Sequence, residues 1–156
     1  MIELLTIRPS DQGLEIGFGP GVAVELVHKQ LTDGTVAGID YSPEMVTMAS
    51  RRNQAAIASA KMTLRHASAL SLPFPESQFD RVLSINSLQM WPDQKAGVGE
   101  IFRVLNPTGI MALGFTPHAQ PRPDADTLKE LLKLVGFKEI YLAINQDNIC
   151  LMATKP

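Results

Sequence analysis

The chain has 156 residues, 45% of them apolar and 19% charged, with a net charge of −2. That is the length of one ordinary domain, and the composition excludes a disordered segment. Lys and Arg are scattered rather than clustered, which excludes the basic footprint of a nucleic-acid binder.

In chain order, "MIELLTIRPSDQ" lacks the basic start and long apolar run of a signal peptide. The longest apolar stretches anywhere fall well short of the ~20 residues that a membrane helix needs, so a cytoplasmic domain with no membrane partner is expected. "GLEIGF" (13–18) reads as a strand. Pro20 then falls where a first helical turn tolerates it, and Ala23, Leu26, Val27 and Leu31 give that helix its apolar face. "GTVAGID" (34–40) is a second short, buried strand. Ser42-Pro43-Glu44 starts a helix, with Ser as N-cap, Pro at the first position and an acid near the positive end. Met45, Met48 and Ala49 continue its inner face.

"KMTLRHA" (61–67) is the third strand, followed by the loop "SALSLPFPESQ" and a fourth strand, "FDRVLSIN" (79–86). Val98, Ile101, Phe102 and Leu105 keep the i, i+3, i+4, i+7 spacing of a helix. Gly97 and Gly99 weaken that helix by roughly 1 kcal/mol each relative to Ala. "TGIMALGF" (108–115) is the fifth strand; Leu128, Leu131, Leu132 and Val135 then mark a helix that Gly136 stops. Two final strands, 137–144 and 147–154, are joined by too few residues for a helical crossover and must be antiparallel. The lone Cys150 has no partner for an intrachain disulfide, belongs to no metal-binding cluster, and reads as a small buried apolar residue. Strand–helix alternation implies an α/β fold: a single domain built as a Rossmann-like three-layer sandwich. Its sheet is mostly parallel and seven-stranded, with one antiparallel strand at the C-terminal end.

The stretch "GLEIGFGPGVA" raises the question of a ligand, because Gly17, Gly19 and Gly21 leave bare backbone between a strand and a helix. A dinucleotide loop of the form G-x-G-x-x-G would need its third glycine at Val22, whereas this chain has Gly21 after Pro20. Asp40 ends the second strand, where a carboxylate can accept from both hydroxyls of a ribose. That fits NAD and S-adenosylmethionine equally, so only the loop spacing distinguishes them.

Four stretches, "LEIGFGPG", "GIDYSPEMV", "LPFPESQFDRVLS" and "EIFRVLNPTG", occur in order across about residues 12–115. Together they resemble the class I S-adenosylmethionine-dependent methyltransferases, in particular the small-molecule type with a methyltransferase-11-like domain. The resemblance implies S-adenosylmethionine as cofactor and in-line methyl transfer to a small-molecule acceptor at O, N or C. Gly17, Phe18, Gly19 and Gly21 would pass under its methionine part, with Glu15 near the amino end. Asp40 would take the ribose hydroxyls and Tyr41 would cover the adenine. Ser68, Ala69 and Leu70 would hold the adenine edge, and Asn86 and Ser87 would face the methyl.

Ser68 stands where relatives often carry an Asp, while Asn106 and Thr108 depart from a Lys and a Gly of the family's turn. "NSLQMW" replaces the Asp/Asn-Pro-Pro-Tyr of enzymes that methylate amino groups of DNA bases. Trp91 with Met90, next to Pro92, could stack on a substrate, but core or rim packing is the favoured reading. His28 and His66 read as surface and structural histidines. His118, in the loop after the fifth strand, is carried as the candidate general base. Few residues precede the first strand, where relatives have helices that roof the cofactor. An alternative reading is therefore a non-catalytic cofactor-binding subunit whose open site a homodimer mate or partner protein completes. A nicotinamide-dependent reductase is the third reading, on fold analogy alone.

Overall fold

The computed structural model describes residues 2–156. Alternation of strand and helix produces β1 (Gln12–Ile16), α1 (Val22–His28), β2 (Thr35–Asp40), α2 (Pro43–Arg52), α3 (Gln54–Ala58) and β3 (Met62–His66). The second half runs β4 (Phe79–Ile85), α4 (Gln94–Val104), β5 (Leu105–Phe115), α5 (Ala125–Val135), β6 (Lys138–Asn145) and β7 (Asn148–Thr154). The strands join in one sheet of order β3-β2-β1-β4-β5-β7-β6. β1 to β5 pair in parallel, and β7 is antiparallel to both of its neighbours, β5 and β6. β7 is thus the one reversed strand, inserted one place in from the edge, and the expected mixed sheet is what forms. The strand order reverses between β1 and β4, where open α/β sheets leave a crevice at the carboxyl ends of their strands.

Period-two alternation divides the apolar residues between two faces. Leu14, Ile16, Ile39 and Val82 join α4 and α5 in one buried cluster through Val98, Ile101, Leu128 and Leu132. Val36, Leu83, Ala112 and Cys150 join α1–α3 in the other through Val24, Val27, Ala49 and Ala56. Cys150 is buried there as a small apolar side chain. Among the described residues no helix is long and apolar enough to cross a membrane. A buried Arg81–Asp11 pair at 3.4 Å, with Arg81 Nε also donating to the Leu5 carbonyl, ties the N-terminal segment to β4.

The helix ends follow their local chemistry. Ser42 Oγ accepts from the Met45 N–H, Pro43 occupies the first position of α2, and Gly136 ends α5 at φ 116°. Helix phase departs from expectation in three places. α1 begins at Val22, because Gly19 and Gly21 hold left-handed backbone (φ 52° and 84°) that Pro20 cannot bridge into a helical turn. Its inner face is consequently Val24 and Val27, with Leu31 buried beyond its end, while Leu26 is exposed and Ala23 only partly covered. In α2, Ala49 and Val46 face the core and Met48 is exposed. Leu105 opens β5 instead of closing α4, whose buried face is Gly97, Val98, Ile101 and Val104.

Candidate functional site

A cavity of about 860 Å³ opens at the carboxyl ends of β1 to β4, within the size range of small-molecule sites. Backbone from Ile16 to Pro20 lies along it, because the left-handed glycines turn the chain sharply out of β1. On one side stand Asp40, Tyr41 and Ser42 after β2, with Ser68, Ala69 and Leu70 after β3. On the other stand Asn86, Ser87, Met90, Trp91 and Pro92 after β4. Among the described residues no Lys, Arg, His or Cys lines it, and its carboxyl groups are Glu15 and Asp40.

Asp40 organises this end of the sheet. Its Oδ2 accepts from the Gly19 N–H at 2.8 Å and its Oδ1 from the Ser42 N–H at 2.9 Å. A carboxylate offers about four lone-pair sites, so each oxygen keeps capacity for one more donor. The residue can hold the loop and two ligand hydroxyls at once.

Glu15 is only 2% exposed and its Oε2 has no hydrogen-bond partner. Burial raises its pKa to about 8, partly offset by the backbone of Val24 and reinforced by the charge of Asp40. The free protein therefore holds it largely protonated at pH 7.

The remaining side chains are tethered locally. The Ser68 hydroxyl accepts from the Leu70 N–H at 3.1 Å. Asn86, at φ 53°, donates through Nδ2 to Thr116 Oγ1 and accepts through Oδ1 from the Thr116 N–H, both at 2.8 Å. Both ends of its amide thus help join the ends of β4 and β5, with one N–H and one lone pair left over. Tyr41 is 77% exposed at the rim, with its carbonyl 2.9 Å from His66 Nε2.

Two expected site residues stand elsewhere. Gly21 does not line the cavity. It sits where α1 meets α2, and a Cβ there would come within 2.7 Å of Ala49 Cβ and 2.8 Å of Asn53 Nδ2. His118 also lies outside the lining, exposed on the turn that follows β5. Sequence reasoning missed Asn53, which is buried between α2 and α3. Its Nδ2 donates to the Gly21 carbonyl at 3.2 Å and to the Ala49 carbonyl at 2.9 Å, clamping the glycine loop from below. Its only sequence signal is an Asn inside a helical run, a poor helix former that needs a reason to be there.

Comparison with known proteins bears on this geometry. The family model described as "Methyltransferase domain" matches residues 14–113. The uncharacterized methyltransferase YdaC of Bacillus subtilis is 31% identical, over 99% of this chain and 89% of its own length. The 27-O-demethylrifamycin SV methyltransferase of Amycolatopsis mediterranei is 34% identical over 71% of this chain, which spans 40% of that protein. A crystal structure of a SAM-dependent methyltransferase from Aquifex aeolicus superposes with a TM-score of 0.85 at 15% identity, over 99% of this chain and 87% of that one. At that identity the superposition speaks for the fold, while the family match and the sequence relatives speak for the chemistry. The glycine loop, the carboxylate after β2 and the reversed seventh strand thus belong to a known set, and this chain is a class I S-adenosylmethionine-dependent methyltransferase.

Proposed function

We propose that this single domain transfers a methyl group to a small-molecule acceptor at O, N or C by in-line displacement. Bound S-adenosylmethionine supplies an electrophilic methyl on a sulfonium that leaves readily. The chain's part is to align the reactants and exclude water. Asp40 takes the ribose hydroxyls with the oxygen capacity left after Gly19 and Ser42. Ser68 to Leu70 border the adenine and Tyr41 covers it. Gly17 to Gly19 lie under the methionine part, and Glu15 faces its cationic end. Among the described residues the cavity is lined by the carboxyl groups of Glu15 and Asp40 and by no Lys or Arg. A cation beside Glu15 would favour its ionised form, which supports a cationic ligand over the anionic pyrophosphate of NAD. The named activity of the rifamycin relative supports a small molecule as acceptor.

Thermal unfolding with separate additions of S-adenosylmethionine, S-adenosylhomocysteine and NAD tests this. A ligand at about 100 times its dissociation constant adds roughly 2.7 kcal/mol, a midpoint rise on the order of 5–10 °C at this size. The two sulfur nucleotides are expected to give that rise and NAD none. Asp40→Ala is expected to abolish it and to lower the basal midpoint, because the Gly19 and Ser42 donors lose their acceptor. An unchanged rise in Asp40→Ala would remove the ribose from Asp40.

Exposure of Tyr41 and Met90 at the cavity mouth, 77% and 69%, favours a second reading, in which a second copy or a partner protein covers the site before turnover. Turnover by the isolated monomer would eliminate it.

A further inference from the structure

The two sides of the cavity differ in what they offer a ligand. After β2 and β3 the lining carries a carboxylate and a hydroxyl, Asp40 and Ser68. After β4 the lining carries no charged side chain, and its two polar ones, Asn86 and Ser87, already hydrogen-bond within the protein and keep only part of their capacity. The Asn86 amide is closed on Thr116, and Ser87 Oγ accepts from Trp91 Nε1 at 2.9 Å. The rest of that side is Ile85, Met90, Trp91 and Pro92, with Met90 69% exposed. β1 separates the two sides in the sheet order. A nucleoside held after β2 and β3 therefore leaves the wall after β4 to the acceptor.

The indole on that wall is fixed at two points. Its N–H is held by Ser87, and its six-membered ring lies on Gly97 of α4, where a Cβ would stand 2.4 Å from Cε3 and 2.7 Å from Cζ3. Ser87 in turn packs on the glycine loop: a Cβ on Gly17 would fall 2.1 Å from Ser87 Oγ. Gly17, Ser87, Trp91 and Gly97 thus form one line of contacts from the loop to the acceptor wall. A glycine in mid-helix costs roughly 1 kcal/mol relative to Ala, and close approach of the indole gives Gly97 a reason to be tolerated there.

We propose that Met90, Trp91 and Pro92 form the binding wall for an uncharged, apolar methyl acceptor, and that Gly97, outside the cavity, sets the position of the Trp91 indole in it. The wall has no Lys or Arg for an acidic acceptor and no free carboxylate for a basic one. Apolar area and the indole face are what it has to offer. This rests on the methyl-transfer function proposed above.

Trp91 is the only tryptophan of the chain, so its emission reports on this wall alone. With S-adenosylhomocysteine present, the emission is titrated with three matched quenchers: uncharged 4-nitrotoluene, anionic 4-nitrobenzoate and cationic 4-nitrobenzylamine. Saturable quenching by 4-nitrotoluene, and by neither charged probe, is expected. Gly97→Ala is expected to shift the emission maximum and weaken 4-nitrotoluene about three- to tenfold, with the S-adenosylhomocysteine midpoint rise unchanged. Met90→Glu, at a side chain exposed enough to leave folding intact, is expected to weaken 4-nitrotoluene at least as much. Charged probes binding as well as the uncharged one, or 4-nitrotoluene quenching without saturation, would overturn the apolar wall. An unmoved emission and affinity in Gly97→Ala would overturn the positioning role. If S-adenosylhomocysteine fails to raise the wild-type midpoint, the methyl-transfer function falls and this wall's assignment with it. If the midpoint rises and the probes fail, only the wall is wrong.

Discussion

Glu15→Gln is expected to remove most of the pH dependence of stability between pH 5 and 8. Glu15 is buried with its pKa raised from 4.5 to about 8, chiefly by desolvation. Over that window the folded chain binds a proton that the unfolded chain has released, so stability falls as pH rises. The full contribution is present below about pH 4.5 and is lost as pH climbs through 8. Each unit of pH in between costs roughly 1.4 kcal/mol, and the whole span on the order of 4–5 kcal/mol. Glu25, Glu44, Glu100 and Asp124, whose pKa values are lowered by hydrogen bonds, work in the opposite direction only at pH values below this window. Glutamine keeps the size and cannot ionise. Urea denaturation at pH 5, 6, 7 and 8 should therefore give a falling series for wild type and a nearly flat one for Glu15→Gln. Parallel series would mean that Glu15 titrates as an ordinary carboxyl. The same linkage reaches the ligand. With Glu15 facing the cationic end of the cofactor, as proposed, binding pulls its proton off and affinity rises towards pH 8. Calorimetry in buffers of differing ionisation heat should detect that released proton in wild type and not in Glu15→Gln.

What the sequence made legible was local chemistry. The cap at Ser42 and the stop at Gly136 depend on neighbouring residues, so they can be read in place. The antiparallel end of the sheet was legible because a connection of two residues permits nothing else. Asp40 and the glycine loop were legible as a pattern, and the structure adds that they are bonded to each other. Helix phase was not legible in α1, because it depends on where the left-handed backbone at Gly19 and Gly21 lets the helix begin. Close approaches between distant segments were not legible either. Asn53 looks like a surface residue of a helix until Gly21 arrives above it, and Gly97 looks like a weak helix position until Trp91 lies on it.

The loop glycines divide by the same physics, and a pair of substitutions should separate them. Gly21→Ala is expected to destabilise the fold severely. Its φ of 84° is a left-handed conformation, and the new Cβ would lie 2.7 Å from Ala49 Cβ and 2.9 Å from Ala49 Cα. Left-handed backbone costs an alanine roughly 1–2 kcal/mol, and overpacking a buried contact adds about 1–3 kcal/mol. The sum, about 2–5 kcal/mol, is a large share of a typical domain's stability. Part of the contact is Ala49 backbone, so rotamer changes cannot relieve it, and α1 must move away from α2. Gly19→Ala shares the left-handed strain, at φ 52°, but its Cβ meets nothing within 4 Å. It is expected to cost only about 1–2 kcal/mol. Gly19 lines the cavity and Gly21 does not, so with the cofactor placed as proposed the extra methyl at Gly19 would stand against it. Gly19→Ala should therefore remain folded and lose S-adenosylhomocysteine affinity by tenfold or more, about 1.4 kcal/mol. Denaturation midpoints and ligand titrations on both variants check this. If Gly19→Ala binds like wild type, the cofactor does not approach the loop at that residue. If Gly21→Ala melts like wild type, the α1–α2 contact yields more easily than a backbone contact should. The expected crossing of effects, stability lost at one glycine and binding at the other, would show that two glycines of one motif serve different physical ends: one lets helices meet, the other lets a ligand in.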